Sequence, residues 1–269
     1  MKTNGQKHPL AEVFGYPVSD MSRVAARFRK NRLCPFGNII PNCTKDKAQS
    51  PLGVCSIYHA DDLVITCPVR FRQNWIIADD AAQFFFGNDA NWTALTEVRL
   101  KDAENHSAGN IDMVLCAYDD SGRIEDFGAL EIQAVYISGN VRKPFETYMA
   151  DPETNCRMDW SQQPNCPRPD YLSSKKRLIS YLTSKGLIIH KKQVKQIVVT
   201  HSSLMTTLPA FPTTHDSLSD FAFFIYDLKY GQFDMKYGQY DQSWQLKLTN
   251  TVYTQYTDVC DLLACTSGS

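Results

Sequence analysis

The apolar positions of the chain change their spacing along its length. From Ser19 to Arg32 they recur at helical intervals, with Met21, Val24, Ala25 and Phe28 on one side, and Cys34-Pro35 stops the run. Asn74 to Phe86 predicts a second helix, closed by Gly87. The period then drops to two. Asn110 to Tyr118 sets Ile111, Met113 and Leu115 against Asp112, Val114 and Cys116, as a strand does. Glu97 to Lys101 and Phe127 to Ile137 read as strands on either side, and Asp119-Asp120-Ser121-Gly122 supplies a turn. Residues 97–137 therefore predict three neighbouring strands of one sheet, mostly hairpin-linked.

Residues 138–170 hold many Gly, Pro, Asn and Cys and show no period, so they read as a long functional loop. Tyr171 to Lys185 predicts a basic helix closed by Gly186. Lys195 to Thr200 and Asp220 to Tyr230 read as buried strands, and Trp244 to Tyr253 as a strand with one exposed face. Helices and strands mix, so the fold class is α/β or α+β: a mixed central β-sheet flanked by helices. A helical, cysteine-bearing segment over residues 1–90 and a core over 91–269 are expected, as one compact unit.

Composition narrows the class only a little. No apolar run approaches the roughly 18 residues of a membrane span. Met1 to Pro9 is polar and lacks a signal-peptide core, which makes a soluble cytoplasmic protein the expectation. The net charge of −1 says nothing for or against nucleic acid, but its distribution is uneven. Residues 1–47 carry nine Lys or Arg against Glu12, Asp20 and Asp46, and residues 168–195 carry eight against Asp170. Such segments suit phosphate binding, and they equally suit solvated helix faces.

The candidate chemistry starts at Glu131-Ile132-Gln133. Residues two apart on a strand share a face, so Glu131 and Gln133 project together while Leu130 and Ile132 turn to the core. Asp112 lies on the preceding strand, and its carboxylate reaches the same place if the two strands pair. Two carboxylates at a sheet edge make an oxygen site suited to Mg²⁺. Gln133 can orient a water but cannot ionise. The polar face of a half-solvated strand has the same pattern.

Nine cysteines are present, and four of them, Cys34, Cys43, Cys55 and Cys67, are separated by eight, eleven and eleven residues. No C-x-x-C pair occurs among these four, so common zinc-finger spacings do not match. Four thiolates could still hold zinc or iron in a tetrahedron, or the residues could be small buried hydrophobes. Cys156, Cys166, Cys260 and Cys265 read as ordinary thiols, and His190 and His201 as structural histidines.

Together these features resemble the NotI family of restriction endonucleases. The resemblance is carried by Leu33-Cys34-Pro35-Phe36, Cys43, Gly53-Val54-Cys55 and Ile65-Thr66-Cys67-Pro68. It continues in Asn110-Ile111-Asp112-Met113 and Gly128-Ala129-Leu130-Glu131-Ile132-Gln133. It covers roughly residues 10–140, and the chain is shorter than the better-known member of the family, mostly after the active-site strand.

The resemblance implies a variant of the PD-(D/E)XK nuclease core in a bacterial restriction-modification system. It implies a homodimer that cuts palindromic double-stranded DNA with Mg²⁺ and leaves 5′-phosphates. Asp112 and Glu131 would then be Mg²⁺ ligands, Gln133 would stand where most such nucleases have lysine, and Glu97 would support the site. The four cysteines would hold a structural iron, with zinc the choice on chemistry alone. Arg99, Lys101, Arg142 and Lys143 would hold DNA phosphates. Two rival readings are a non-catalytic DNA-binding protein with a structural metal and a nonspecific or repair nuclease.

Overall fold

The computed structural model describes residues 7–37, 41–47, 50–60, 62–231 and 244–266. Lys2 and the side chain of Cys265 lie outside the described residues. The chain divides into two compact units. The described residues of Met1–Asn74, Ala134–Tyr171 and Asp227–Lys247 make the first, and those of Trp75–Gln133, Leu172–Tyr226 and Leu248–Ser269 the second. Among the described residues no helix is long and apolar enough to cross a membrane.

A six-stranded mixed sheet organises the second unit. Its order is Trp244–Thr254, Phe221–Tyr230, Gln196–His201, Ile124–Gln133, Ser107–Tyr118, Asn91–Lys101. The last three form the predicted antiparallel meander, in register Met113↔Leu130 and Thr96↔Met113. Gln196–His201 is parallel to both of its neighbours and buried along its whole length. That burial explains the apolar run Ile197-Val198-Val199 at its centre, since both faces are covered there, while the polar Gln196 and Thr200 are buried with hydrogen bonds to the Gly186 and Gln133 carbonyls.

Helices cover the two faces of this sheet. Phe84 and Phe85 of the Ile76–Phe86 helix pack on the face that carries Phe224 and Gly128. A Cβ on Gly128 would stand 2.4 Å from the Phe85 ring, which is why a glycine stands three residues before Glu131 on this strand. On the other face Leu178, Tyr181 and Leu182 join Val198, Phe221, Phe223, Tyr256 and Val259 in one core cluster.

The first unit is built on a small antiparallel sheet ordered Tyr16–Pro17, Leu10–Val13, Val54–His59, Asp62–Ile65. Its centre is a fully buried ion pair. Arg70 Nε stands 3.0 Å from Glu12 Oε2, with both side chains at 0% exposure. The guanidinium meets oxygens from each nitrogen: Nε donates to Glu12, Nη1 to Gln73, and Nη2 to Glu12 and the Trp244 carbonyl. Glu12 also accepts from Ser56. Such a pair tolerates burial because its hydrogen bonds are met on all sides.

Several expectations change. The first helix runs Arg23–Asn31, capped by Ser22, and its inward residues are Ala25 and Arg29. Met21 and Val24 face solvent, because the Arg29 guanidinium turns in and donates to the carbonyls of Pro17 and Asp20. The strand read over 127–137 splits: Ile124–Gln133 ends, and Tyr136–Ser138 pairs instead with Arg168–Asp170. The stretch 138–170 is no simple loop, since it holds the Arg142–Ala150 helix with Phe145 and Tyr148 buried. The Tyr148 hydroxyl donates to the Val18 carbonyl at 2.9 Å. Gly186 does not close its helix either. Tyr171–Tyr181 runs into a π-turn, Leu182–Gly186, and then into Leu187–Lys191.

Candidate active site and cysteine cavity

Sheet register sets the carboxylates of the second unit. Paired residues share a face, and the pairing Met113↔Leu130 continues to Asp112 opposite Glu131, while Glu131 is aligned with Val198 on the parallel side. The backbone ladder between these two strands ends at Met113↔Leu130. At the next step the Asp112 side chain takes over: its Oδ2 accepts from the Ile132 N–H at 2.8 Å. Glu131 is 6% exposed and Gln133 4%, so both lie under the helical layer rather than on a solvated face.

The cover is the segment around the π-turn. Lys185 Nζ donates to Glu131 Oε1 at 2.5 Å and to the Asn110 carbonyl at 2.7 Å. Glu131 Oε2 is buried with no hydrogen-bond partner. Burial pushes the Glu131 carboxyl up to about 7, the Asp112 charge adds to the rise, and Lys185 opposes both. Beneath the turn, the Tyr181 hydroxyl donates to Gln196 Oε1 at 3.1 Å, and Gln196 Nε2 donates to the Gly186 carbonyl at 3.1 Å. Burial raises the Tyr181 phenol well above its ordinary range, so it remains a proton donor.

Glu97 lies opposite Asp112 in the register Thr96↔Met113 and Val98↔Ile111, with a left-handed backbone at φ 56°. It is exposed, as are Arg99 and Lys101 further along the same strand. Arg99 Nε donates to Ser107 Oγ at 3.3 Å. In the first unit Arg142 is held in an ion pair with Asp46, and Lys143 is exposed. Lys185 is the residue the sequence reading missed. It had been the end of a helix, and nothing in its neighbours signals a partner 54 residues away.

The four cysteines of the first unit come together on local hairpins. Leu33 and Asn42 form an antiparallel bridge, and the Cys34 N–H donates to Pro41 O while the Cys43 N–H donates to Arg32 O. Cys55 sits on Val54–His59 and Cys67 just beyond its partner Asp62–Ile65, joined by the bond from Thr66 N–H to Cys55 O. All four residues line one cavity of about 280 Å³ with Phe14, Phe36 and Lys45. Gly53 allows the close approach of the Phe14 ring, which would stand 2.5 Å from a Cβ.

Burial pushes the Cys34 thiol up to about 11, with the Cys67 and Cys43 charges adding to the shift. Cys43 and Cys55 rise for the same first reason and with a contribution from Cys67. A cluster of thiols that oppose one another's ionisation is a donor set that a soft cation would stabilise as thiolates. The donor type, four thiols lining one cavity, suits such an ion. Among the described residues, however, no group of three or more His, Cys, Asp or Glu is gathered tightly enough to hold a metal.

The two histidines read as structural make structural contacts: His190 stacks on Tyr256 and His201 accepts from Ser203 N–H. No curated protein matches the chain. The family model described as restriction endonuclease NotI matches residues 12–239, which takes in the cysteine hairpins, the carboxylate strands and the π-turn alike. The chain therefore belongs to the NotI restriction endonuclease family and is a type II site-specific deoxyribonuclease acting on double-stranded DNA.

Proposed function

We propose that Asp112, Glu131 and Gln133 form the cleavage site of a PD-(D/E)XK-type core, with Asp112 and Glu131 holding Mg²⁺. The observation that carries this reading is the alignment of Asp112 with Glu131 on adjacent strands, one oxygen of Glu131 being buried without a hydrogen-bond partner. Two carboxylates one strand apart suit a hard cation that takes oxygen ligands. When bound, Mg²⁺ lowers the pKa of a water and offsets charge on the phosphodiester.

The chain's own groups do the remaining work. Asp112 is fixed by its bond to the Ile132 amide, so its carboxylate is oriented before DNA arrives. Gln133 orients the attacking water by hydrogen bonding and keeps no charge of its own. Glu97, opposite Asp112 in register, supports the site from the edge strand. Arg99, Lys101, Arg142 and Lys143 hold DNA phosphates. Cleavage leaves 5′-phosphates at a palindrome, each strand cut by one copy of a homodimer.

The cysteine cavity is the structural metal site of this reading, with Cys34, Cys43, Cys55 and Cys67 as ligands of one iron or zinc. Its support is the shared cavity and the mutual influence of the thiols.

The test is a digest of plasmid DNA with Mg²⁺, comparing the wild-type protein with Glu131→Ala. Discrete bands from the wild type and intact DNA from the variant support the assignment, with DNA binding retained. Bands from both would overturn it, a smear would mean cleavage without sequence specificity, and DNA left intact by the wild type would favour a binding protein.

A further inference from the structure

Two carboxylates and a neutral amide make a poor place for a phosphodiester. The DNA backbone brings another negative charge to Asp112 and Glu131, and Gln133 offers no positive one. Besides the Mg²⁺ proposed above, a side-chain cation stands at this spot. Lys185 Nζ lies 2.5 Å from Glu131 Oε1 and 2.7 Å from the Asn110 carbonyl, two residues before Asp112.

Three features argue that this lysine is more than a surface residue that folded inward. Its side chain is 15% exposed, so the ammonium gives up most of its hydration to stand here. A buried ion pair is weak evidence of stability, because apolar residues of similar size do as well or better. It sits in a π-turn, Leu182–Gly186, a wide and uncommon geometry that occurs often at functional sites. That turn is held from below, where Gln196 grips the Gly186 carbonyl and Tyr181 fixes Gln196. Lys185 also takes only one oxygen of Glu131 and leaves Oε2 without a hydrogen bond.

We propose that Lys185 is a catalytic residue of this nuclease: from the π-turn its ammonium meets the scissile phosphate and supplies the positive charge that Gln133 cannot. The inference rests on the cleavage site proposed above. In the hydrolysis, the water oxygen bonds to phosphorus and the bond from phosphorus to the 3′ oxygen breaks. One water proton goes to the 3′ oxygen and the other to solvent, giving a 5′-phosphate and a 3′-hydroxyl. Lys185 keeps its proton throughout and offsets the charge that builds on the non-bridging oxygens.

The experiment compares wild type, Lys185→Met, Lys185→Arg and Glu131→Ala on a plasmid that the wild type cuts. It reads kcat and KM with Mg²⁺, binding of the fragment spanning the cut with Ca²⁺ in place of Mg²⁺, and Tm. Lys185→Met is expected to lower kcat about 100-fold. Its KM and Ca²⁺-supported binding, read well below Tm, should stay near wild type although Tm falls because Glu131 loses its partner, and Lys185→Arg should recover part of the rate. Wild-type kcat in Lys185→Met overturns the proposal. So does a loss of rate that follows a loss of binding and that arginine does not repair, for then the lysine only holds the fold. An inactive Glu131→Ala beside a fully active Lys185→Met removes Lys185 and leaves the cleavage site standing, whereas an active Glu131→Ala removes the site itself.

Discussion

The cysteine cavity and the carboxylate site both bury groups that would rather be charged, and they manage it in opposite ways. The thiols of Cys34, Cys43 and Cys55 are pushed up by burial and by their own neighbours. Glu131 is pushed up by burial and Asp112, but it has Lys185 beside it to oppose the rise. The construction differs too. Two hairpins gather the cysteines over short stretches of chain, while the carboxylates meet through sheet register and a lysine 54 residues away. A site assembled locally and sharing its cavity with core residues belongs to the fold. A site assembled by register, on a sheet whose core lies elsewhere along the same strands, can lose a side chain and leave the fold intact.

The sharpest way to break this contrast is to compare one residue from each site. Glu131→Ala should reduce cleavage by at least about 1,000-fold, measured on plasmid DNA well below Tm, with only a small loss of Tm because the Lys185 ammonium it frees is 15% exposed and can turn to water. Cys55→Ser should do the reverse. It is expected to cost more than about 4 kcal/mol of folding stability and to abolish the one bound metal per chain read by elemental analysis. A metal-free, fully stable wild-type protein would dissolve the distinction.

Smaller effects refine it. Arg70→Met leaves Glu12 buried and unpaired beneath the strand that carries Cys55, and should cost about 3 to 5 kcal/mol by denaturant melting. Deletion of an ion pair with no loss of stability would show that the first unit does not depend on it. The smallest effect is a pH dependence in the metal-free protein. The Glu131 carboxyl stands at about 7 when folded against an ordinary 4.5, so the folded state holds the extra proton between those values. Stability from this group is greatest at acid pH and falls as pH rises from 4.5 to 7, by on the order of 3 kcal/mol at most. Glu131→Gln should flatten that slope in melts run across the window.

Much of the second unit is legible in the sequence itself. Alternation through Ile111, Met113 and Leu115 and the turn at Asp119–Gly122 are local signals, and the meander follows them. The pairing of Asp112 with Glu131 follows from the meander. What escaped lay in long-range choices. Arg29 turned inward and Val24 outward because two carbonyls, of Pro17 and Asp20, were waiting for a guanidinium. Phe145 and Tyr148 anchor a helix inside a stretch whose Pro and Asn residues mask its period. Lys185 looked like any basic helix end, since a π-turn leaves no mark in composition. The cysteine spacing was visible, but only the hairpins show why unequal gaps still bring four residues to one cavity.

The placement of Gln196–His201 bears on how the protein is made. This strand lies between Ile124–Gln133 and Phe221–Tyr230 and runs parallel to both, so no hairpin can deliver it. During synthesis the strand bearing Glu131 leaves the ribosome with one edge bare, and about 60 residues must follow before its partner arrives. At ordinary elongation rates that interval is on the order of seconds. Over that interval the nascent chain has half a sheet, and the strand of Glu131 lacks the neighbour that aligns Val198 with it. The same interval exposes an unpaired edge to other nascent chains, which makes slow, cool expression the condition under which this enzyme should be recovered soluble.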